Sequence, residues 1–144
     1  MHTVQRSVLV PYSAAQMFDL VAKVEDYPAF MPWCGGTEVH ARDEHGLDAS
    51  VTIAFAGLRQ TFRTRNTHDF PKSITLKLVD GPFSALDGRW EFQPLSEDAC
   101  KVLFTLNYSF SSRPLEMVIG PVFNRIATGF IDAFTQRADV VYGG

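Results

Sequence analysis

The sequence has little with which to build a covalent or metal-bound scaffold. Its 144 residues include only two cysteines, Cys34 and Cys100, too few for a disulfide framework. The four histidines, His2, His40, His45 and His68, fall at no spacing that a zinc site uses. A glycine-rich phosphate loop and a nucleophile elbow are both missing. No apolar run approaches the roughly 20 residues that cross a bilayer. Met1-His2-Thr3-Val4-Gln5-Arg6 has no apolar stretch behind it that would make a secretory signal. Charge is nearly balanced, with 13 Lys and Arg against 16 Asp and Glu, so a dedicated DNA binder is not expected. Repeats, low-complexity tracts and linkers are also absent. These absences leave a cytoplasmic single domain spanning residues 1–144 as the expectation.

What is present is apolar and aromatic. Hydrophobic residues make up 46% of the chain, and 12 residues are Phe, enough for a full core. Thr3 to Val10 is rich in β-branched residues and reads as a strand ended by Pro11. Ser13-Ala14-Ala15-Gln16 has the form of a capping box, with Tyr12 and Met17 at the staple positions, and opens a helix through about Val21. Asp26 to Trp33 contains Pro28 and Pro32, which allow only a short helical turn or an irregular segment.

From Gly36 to Phe110 the period becomes two. Strands are expected at Thr37–Arg42, Leu47–Phe55, Gln60–Asp69, Ser73–Val79, Leu86–Gln93 and Lys101–Phe110. Turns are expected at Glu44-His45-Gly46, Ala56-Gly57, Pro71-Lys72, Asp80-Gly81-Pro82 and Pro94 to Asp98. Leu86, Trp90 and Phe92 share one face, opposite Asp87, Arg89, Glu91 and Gln93. Val102, Phe104, Leu106, Tyr108 and Phe110 repeat that pattern. One dry face and one wet face, joined by short connections, describe an antiparallel meander covered on one side.

The cover is a helix from Pro114 to about Val140, roughly 40 Å long at 1.5 Å per residue. Leu115, Ile119, Val122, Phe123, Ile126, Phe130, Phe134 and Val141 fall on one side of it. Gly120-Pro121 is expected to kink it.

That order of elements resembles the START-like helix-grip superfamily, which includes polyketide cyclases and lipid-transfer proteins. More narrowly it resembles the coenzyme Q-binding protein family and its bacterial relatives, the ribosome association toxins. The segments that carry the likeness are Pro11 to Val21, Val24 to Cys34, Gly81-Pro82-Phe83 with Leu86 to Pro94, and Val122-Phe123 through Ala133 to Ala138. Tyr27-Pro28 through Phe30 to Pro32-Trp33-Cys34 is the most specific of them. The likeness covers nearly the whole chain. It implies an α+β fold in which a curved seven-stranded antiparallel sheet grips the long helix around an apolar tunnel.

A tunnel of about 300 Å³ left empty would cost about 7 kcal/mol, comparable to the whole stability of a domain. It must therefore be small, collapsible, wet or occupied. Phe62, Leu86, Trp90, Phe92, Phe104, Phe123, Ile126 and Phe130 are the inward candidates, either as plain core or as walls for a ligand. Tyr27, Phe30 and Trp33 are candidates for a cover at the tunnel mouth or for a local apolar cap. Phe62, Thr64, Asn66 and His68 share one face of their strand, so Asn66 and His68 point inward with Phe62. They serve either as anchors for a quinone carbonyl or as a wet strand end. Arg63, Arg65 and Arg59 form a basic strip outside, a solvated face or a contact for RNA or acidic lipid.

Catalytic signals are sparse. Cys34 follows Trp33 in an apolar setting and reads as an inert thiol. Asp19, Glu25 and Asp26 read as solvated, and no carboxylate pair stands out as an acid–base dyad. The resemblance implies non-enzymatic binding of a ubiquinone-like isoprenoid or related lipid, by a carrier or chaperone that supports respiration. The ligand is cargo, and no cofactor or metal is expected. Such a protein would touch a membrane surface transiently and lie at the periphery of the inner membrane. The second reading is a ribosome association toxin that binds the large subunit and blocks subunit joining. The third is a polyketide aromatase or cyclase using Asn66, His68 and Arg6.

Overall fold

The computed structural model describes residues 2–55 and 57–143. Met1 and Ala56 lie outside the described residues, and with them one residue each of the N-terminal segment and of the expected Ala56-Gly57 turn; Gly144 also lies outside. Strand β1 (His2–Val10) is followed by α1 (Ala14–Ala22), a 3₁₀ turn (Val24–Asp26) and α2 (Tyr27–Phe30). Six strands come next: β2 (Cys34–Asp43), β3 (Gly46–Phe55), β4 (Leu58–Asp69), β5 (Ser73–Asp80), β6 (Phe83–Ser96) and β7 (Ala99–Phe110). Helix α3 (Arg113–Tyr142) ends the described chain. The strands form one antiparallel sheet in the order β1-β7-β6-β5-β4-β3-β2. Six strands thus pair with their sequence neighbours, and β1 is added beside the last.

Local chemistry sets the helix ends. The Ser13 N–H donates to Gln16 Oε1 at 2.9 Å, and the Gln16 N–H donates to Ser13 Oγ at 3.1 Å, completing the expected capping box. Tyr12 and Met17 are both buried beside it. Ser112 Oγ accepts the Leu115 N–H at 3.3 Å and starts α3. Helix α3 passes through Pro121 as one element. Pro121 is exposed, so the carbonyl it leaves unpaired faces water. The far end is tied to α1, because the Tyr142 hydroxyl donates to the Gln16 carbonyl at 3.1 Å.

The inner faces of the strands supply the core. Val102, Phe104, Leu106 and Tyr108 are each no more than 2% exposed, as their alternation predicts. Ile119, Phe123, Ile126 and Phe134 meet them from α3, joined by Ala127, Ile131 and Ala138. Val141, expected on the buried side, is 47% exposed, and Tyr142 packs against the core in its place. β6 also runs on to Ser96, through residues expected to turn. Beyond its last pair with β5, Ser73↔Glu91, and the bond from the Phe92 N–H to the Lys72 carbonyl at 2.8 Å, it has β7 alone as partner, so Pro94 removes no hydrogen bond on that open side. Register shifts at Val39/Ala41, Arg63/Thr64, Phe83/Ala85 and Pro94/Ser96 bend the sheet around the helix.

Candidate functional site

Between α3 and the sheet lies a slot of about 60 Å³. Phe62, Thr64 and Asn66 line it from β4, alternate residues that cover about 13 Å of strand. Ala49 and Val51 flank them on β3, and Ile74 and Leu76 on β5. Leu86 and Trp90 of β6 and Leu106 of β7 complete the sheet side. Phe123, Phe130 and Phe134 close it from α3, and Val21, Val24, Tyr27, Met31 and Trp33 from the segment before β2. At roughly 24 cal/mol per Å³, a void of this size costs about 1.4 kcal/mol, which a domain can carry. The interior is therefore the small, nearly collapsed version of the expected tunnel.

Eight of the twelve candidate residues meet at the slot: Tyr27, Trp33, Phe62, Asn66, Leu86, Trp90, Phe123 and Phe130. The other four are placed elsewhere. Phe104 lies behind the wall, 4.3 Å from the ring of Trp90 and 5.6 Å from that of Phe130. Phe92 sits under α1 against Phe18, 5.7 Å between centroids. Phe30 packs on Phe134 at 5.6 Å, with the Arg137 guanidinium 5.1 Å from the Phe30 ring centroid. Ile126, buried in the core, borders an outer groove and not the slot. Alternation shows which residues point inward, but not which of them border a space. The missed walls, such as Val21, Ala49 and Leu76, carry no signal beyond being apolar.

That outer groove has a volume of about 300 Å³ and is lined by Pro32, Trp33, Phe55, Val122, Ile126 and Ala133, with Arg125, Asp132 and Gln136 as polar neighbours. Trp33 belongs to both spaces. Its half-buried indole stands 5.5 Å from the ring of Phe130 and separates slot from groove. The Ala54 N–H donates to the Trp33 carbonyl at 2.7 Å, which places this partition beside the β3–β4 hairpin. Tyr27 is wall rather than cover. Its hydroxyl donates to the Val21 carbonyl at 2.5 Å, and burial holds its pKa far above the usual phenol value.

Polar chemistry inside is confined to β4. The Thr64 hydroxyl donates to Asn66 Oδ1 at 2.7 Å, and both residues are 6% exposed. His68 points inward as expected but stops short of the slot, its ring 5.4 Å from Phe18. Its Nε2 is buried without a partner among the described residues, and burial, with Arg42 and Arg65 adding to it, lowers its pKa. Arg6 is exposed at the sheet edge and donates to the Gln5 carbonyl at 2.9 Å. Burial pushes the Cys34 thiol up, away from the reactive thiolate. No group of three or more His, Cys, Asp or Glu side chains placed to hold a metal occurs among the described residues.

Outside, two of the three arginines of the basic strip are compensated. Arg63 Nε and Nη2 donate to the two carboxylate oxygens of Asp48 at 2.6 and 2.9 Å, and Arg65 pairs with Asp43 at 3.0 Å. No helix among the described residues is long and apolar enough to cross a membrane.

Residues 10–135 match the family described as polyketide cyclase / dehydrase and lipid transport. The chain belongs to that family. It is 46% identical over 143 residues to "Ribosome association toxin RatA" of Vibrio cholerae, covering 99% of each chain. It is 28% identical over 133 residues to "Coenzyme Q-binding protein COQ10, mitochondrial" of Drosophila melanogaster, covering 90% of this chain and 55% of that one. The solved Zhui aromatase/cyclase from Streptomyces superposes with a TM-score of 0.85 over 99% of this chain and 98% of that one. Its 16% identity makes that a likeness of fold alone.

Proposed function

We propose that this protein binds an isoprenoid quinone, or a closely related lipid, between its sheet and α3, as a carrier or chaperone that supports respiration. The observation that carries this reading is the apolar slot and the open groove that share Trp33 as a wall. The slot as it stands is too small for a substituted ring, so a ring enters it only as the side chains around it move apart. Swinging Trp33 aside joins it to the groove, and each methylene then buried contributes about 0.8 kcal/mol without needing a polar partner. A family that includes lipid transport and a relative named for coenzyme Q binding support the same reading. The quinone is cargo, and the protein carries out no covalent step on it. Its place of work is the cytoplasmic surface of the membrane in which such a ligand dissolves.

A titration with a short-tailed ubiquinone tests this directly. Quinone in the slot quenches Trp33 and Trp90 with a saturable one-to-one curve. Quenching that rises linearly, without saturation, contradicts binding.

A second reading, ribosome association, is favoured by the name of the bacterial relative at 46% identity over the full chain. It would use the outer surface and is compatible with an occupied interior. The ion pairs of Arg63 and Arg65 leave the β4 strip little charge to offer RNA. Co-sedimentation with large ribosomal subunits that weakens with salt would support it, and free protein at the top of the gradient at low salt would oppose it. The family's description also names polyketide cyclases, but of Asn66, His68 and Arg6, the polar residues that reading would use, only Asn66 reaches the slot.

A further inference from the structure

Resting on the quinone reading above, we infer that the ligand enters ring-first, that Asn66 reads a ring carbonyl, and that the site prefers the oxidised quinone to its quinol. The inference starts from one side chain. Asn66 is 6% exposed and lines an otherwise apolar slot, and its amide oxygen already accepts the Thr64 hydroxyl at 2.7 Å. Its amide nitrogen donates to no described residue. Its two N–H donors are therefore unused beside an apolar slot, and an acceptor on a ligand there would meet them where little else can. Thr64 is the positioning residue, because its bond fixes which end of the amide is offered.

Direction follows from the strand register. Asn66 pairs with Leu47 on β3, whereas the Trp33 carbonyl is bonded seven residues further along that strand, at Ala54. At about 3.3 Å per residue, those backbone positions are about 23 Å apart. The donors lie at the inner end, and the partition and groove lie at the outer end. A ligand whose ring reaches Asn66 lays its tail along Thr64 and Phe62, past Trp33, and over Phe55 and Val122. The reverse orientation buries the tail against the amide and leaves both donors unmet.

The donors also select the redox state. A quinone carbonyl presents lone pairs and no proton, which matches an N–H donor. A quinol hydroxyl brings a proton of its own, and the amide oxygen is already taken by Thr64.

The test uses decylubiquinone and its quinol, held anaerobically, with wild type, Asn66→Leu and the paired Thr64→Val/Asn66→Leu, which leaves no stranded hydroxyl if the single variant folds poorly. Wild type is expected to bind the quinone about tenfold more tightly than the quinol. That preference lowers the potential of the bound two-electron couple by about 30 mV. The paired variant is expected to bind both forms alike. A nitroxide at the tail end should broaden the Trp33 indole N–H signal and leave the Asn66 amide pair sharp. Equal affinities in wild type, a preference that survives in the paired variant, or broadening at Asn66 overturns the inference while binding itself stands. Failure of wild type to bind either form overturns the quinone reading together with it.

Discussion

The rings of Trp33 and Phe130 stand 5.5 Å apart, and this pair divides the space beneath α3 into an inner slot and an outer groove. Trp33 is held there by the short segment between α2 and β2, and its neighbour Pro32 keeps that segment out of a longer helix. Phe130 comes from the middle of α3 and rests on Phe104. One contact is therefore made by the least regular part of the chain against the most regular, which is what a gate requires.

Trp33→Ala removes the partition. Loss of about 1.4 kcal/mol of contact with a bound ligand corresponds to tenfold faster release, and stopped-flow fluorescence of Trp90 would follow it. Release at the wild-type rate would mean that ligand leaves by another route.

Ala49→Val fills the slot from the β3 side. Ala49 is 2% exposed and lines the slot, and two added carbons at about 0.8 kcal/mol each, less some crowding, should raise stability by about 1 kcal/mol. Valine also suits a strand. Urea unfolding should show the gain, and quinone binding should fall in the same variant.

Gly46→Ala strikes the site through the backbone. A Cβ at Gly46 would lie 1.9 Å from the Asn66 carbonyl oxygen, at a φ of +151° that side chains resist. Clash and strain together should cost about 2–3 kcal/mol in denaturant unfolding, with the Asn66 amide signal displaced.

His68 gives the protein an acid-sensitive point. Burial, then Arg42 and Arg65, depress its folded pKa, so the unfolded chain holds more protons between that value and about 6.5. The stability this histidine contributes is complete above about pH 6.5 and is lost as pH falls towards the folded pKa. His68→Phe, packed against Phe18, should reduce the drop in Tm between pH 7.5 and 5.5. An unchanged drop would place the sensitivity in other groups.

Much of the fold was legible in the sequence because alternation is a local property. Val102 to Phe110 declare their faces without reference to any other strand, and Ser13 with Gln16 declares a helix start within four residues. Errors arose where a distant partner decides the outcome. Pro94 looks like a strand end until β5 is seen to have stopped at Ser73, leaving β6 an open side there. Val141 looks buried on a helical wheel, yet the last turn of α3 presents Tyr142 to the core and α1 in its place. The slot was legible only in part for the same reason. Phe92 and Trp90 share a face and a chemistry, but α1 covers one with Phe18 and leaves the other at the space.

The central claim is that the interior receives a quinone, and the most direct measurement is of what the protein already carries. Protein purified from its own cells without detergent would be extracted with organic solvent and the extract analysed by mass spectrometry, with unfolded protein as the control. The account predicts isoprenoid quinone near one equivalent in the folded sample, falling sharply in Ala49→Val. Folded protein free of quinone, and unable to take it up when mixed with quinone-bearing vesicles, would contradict it.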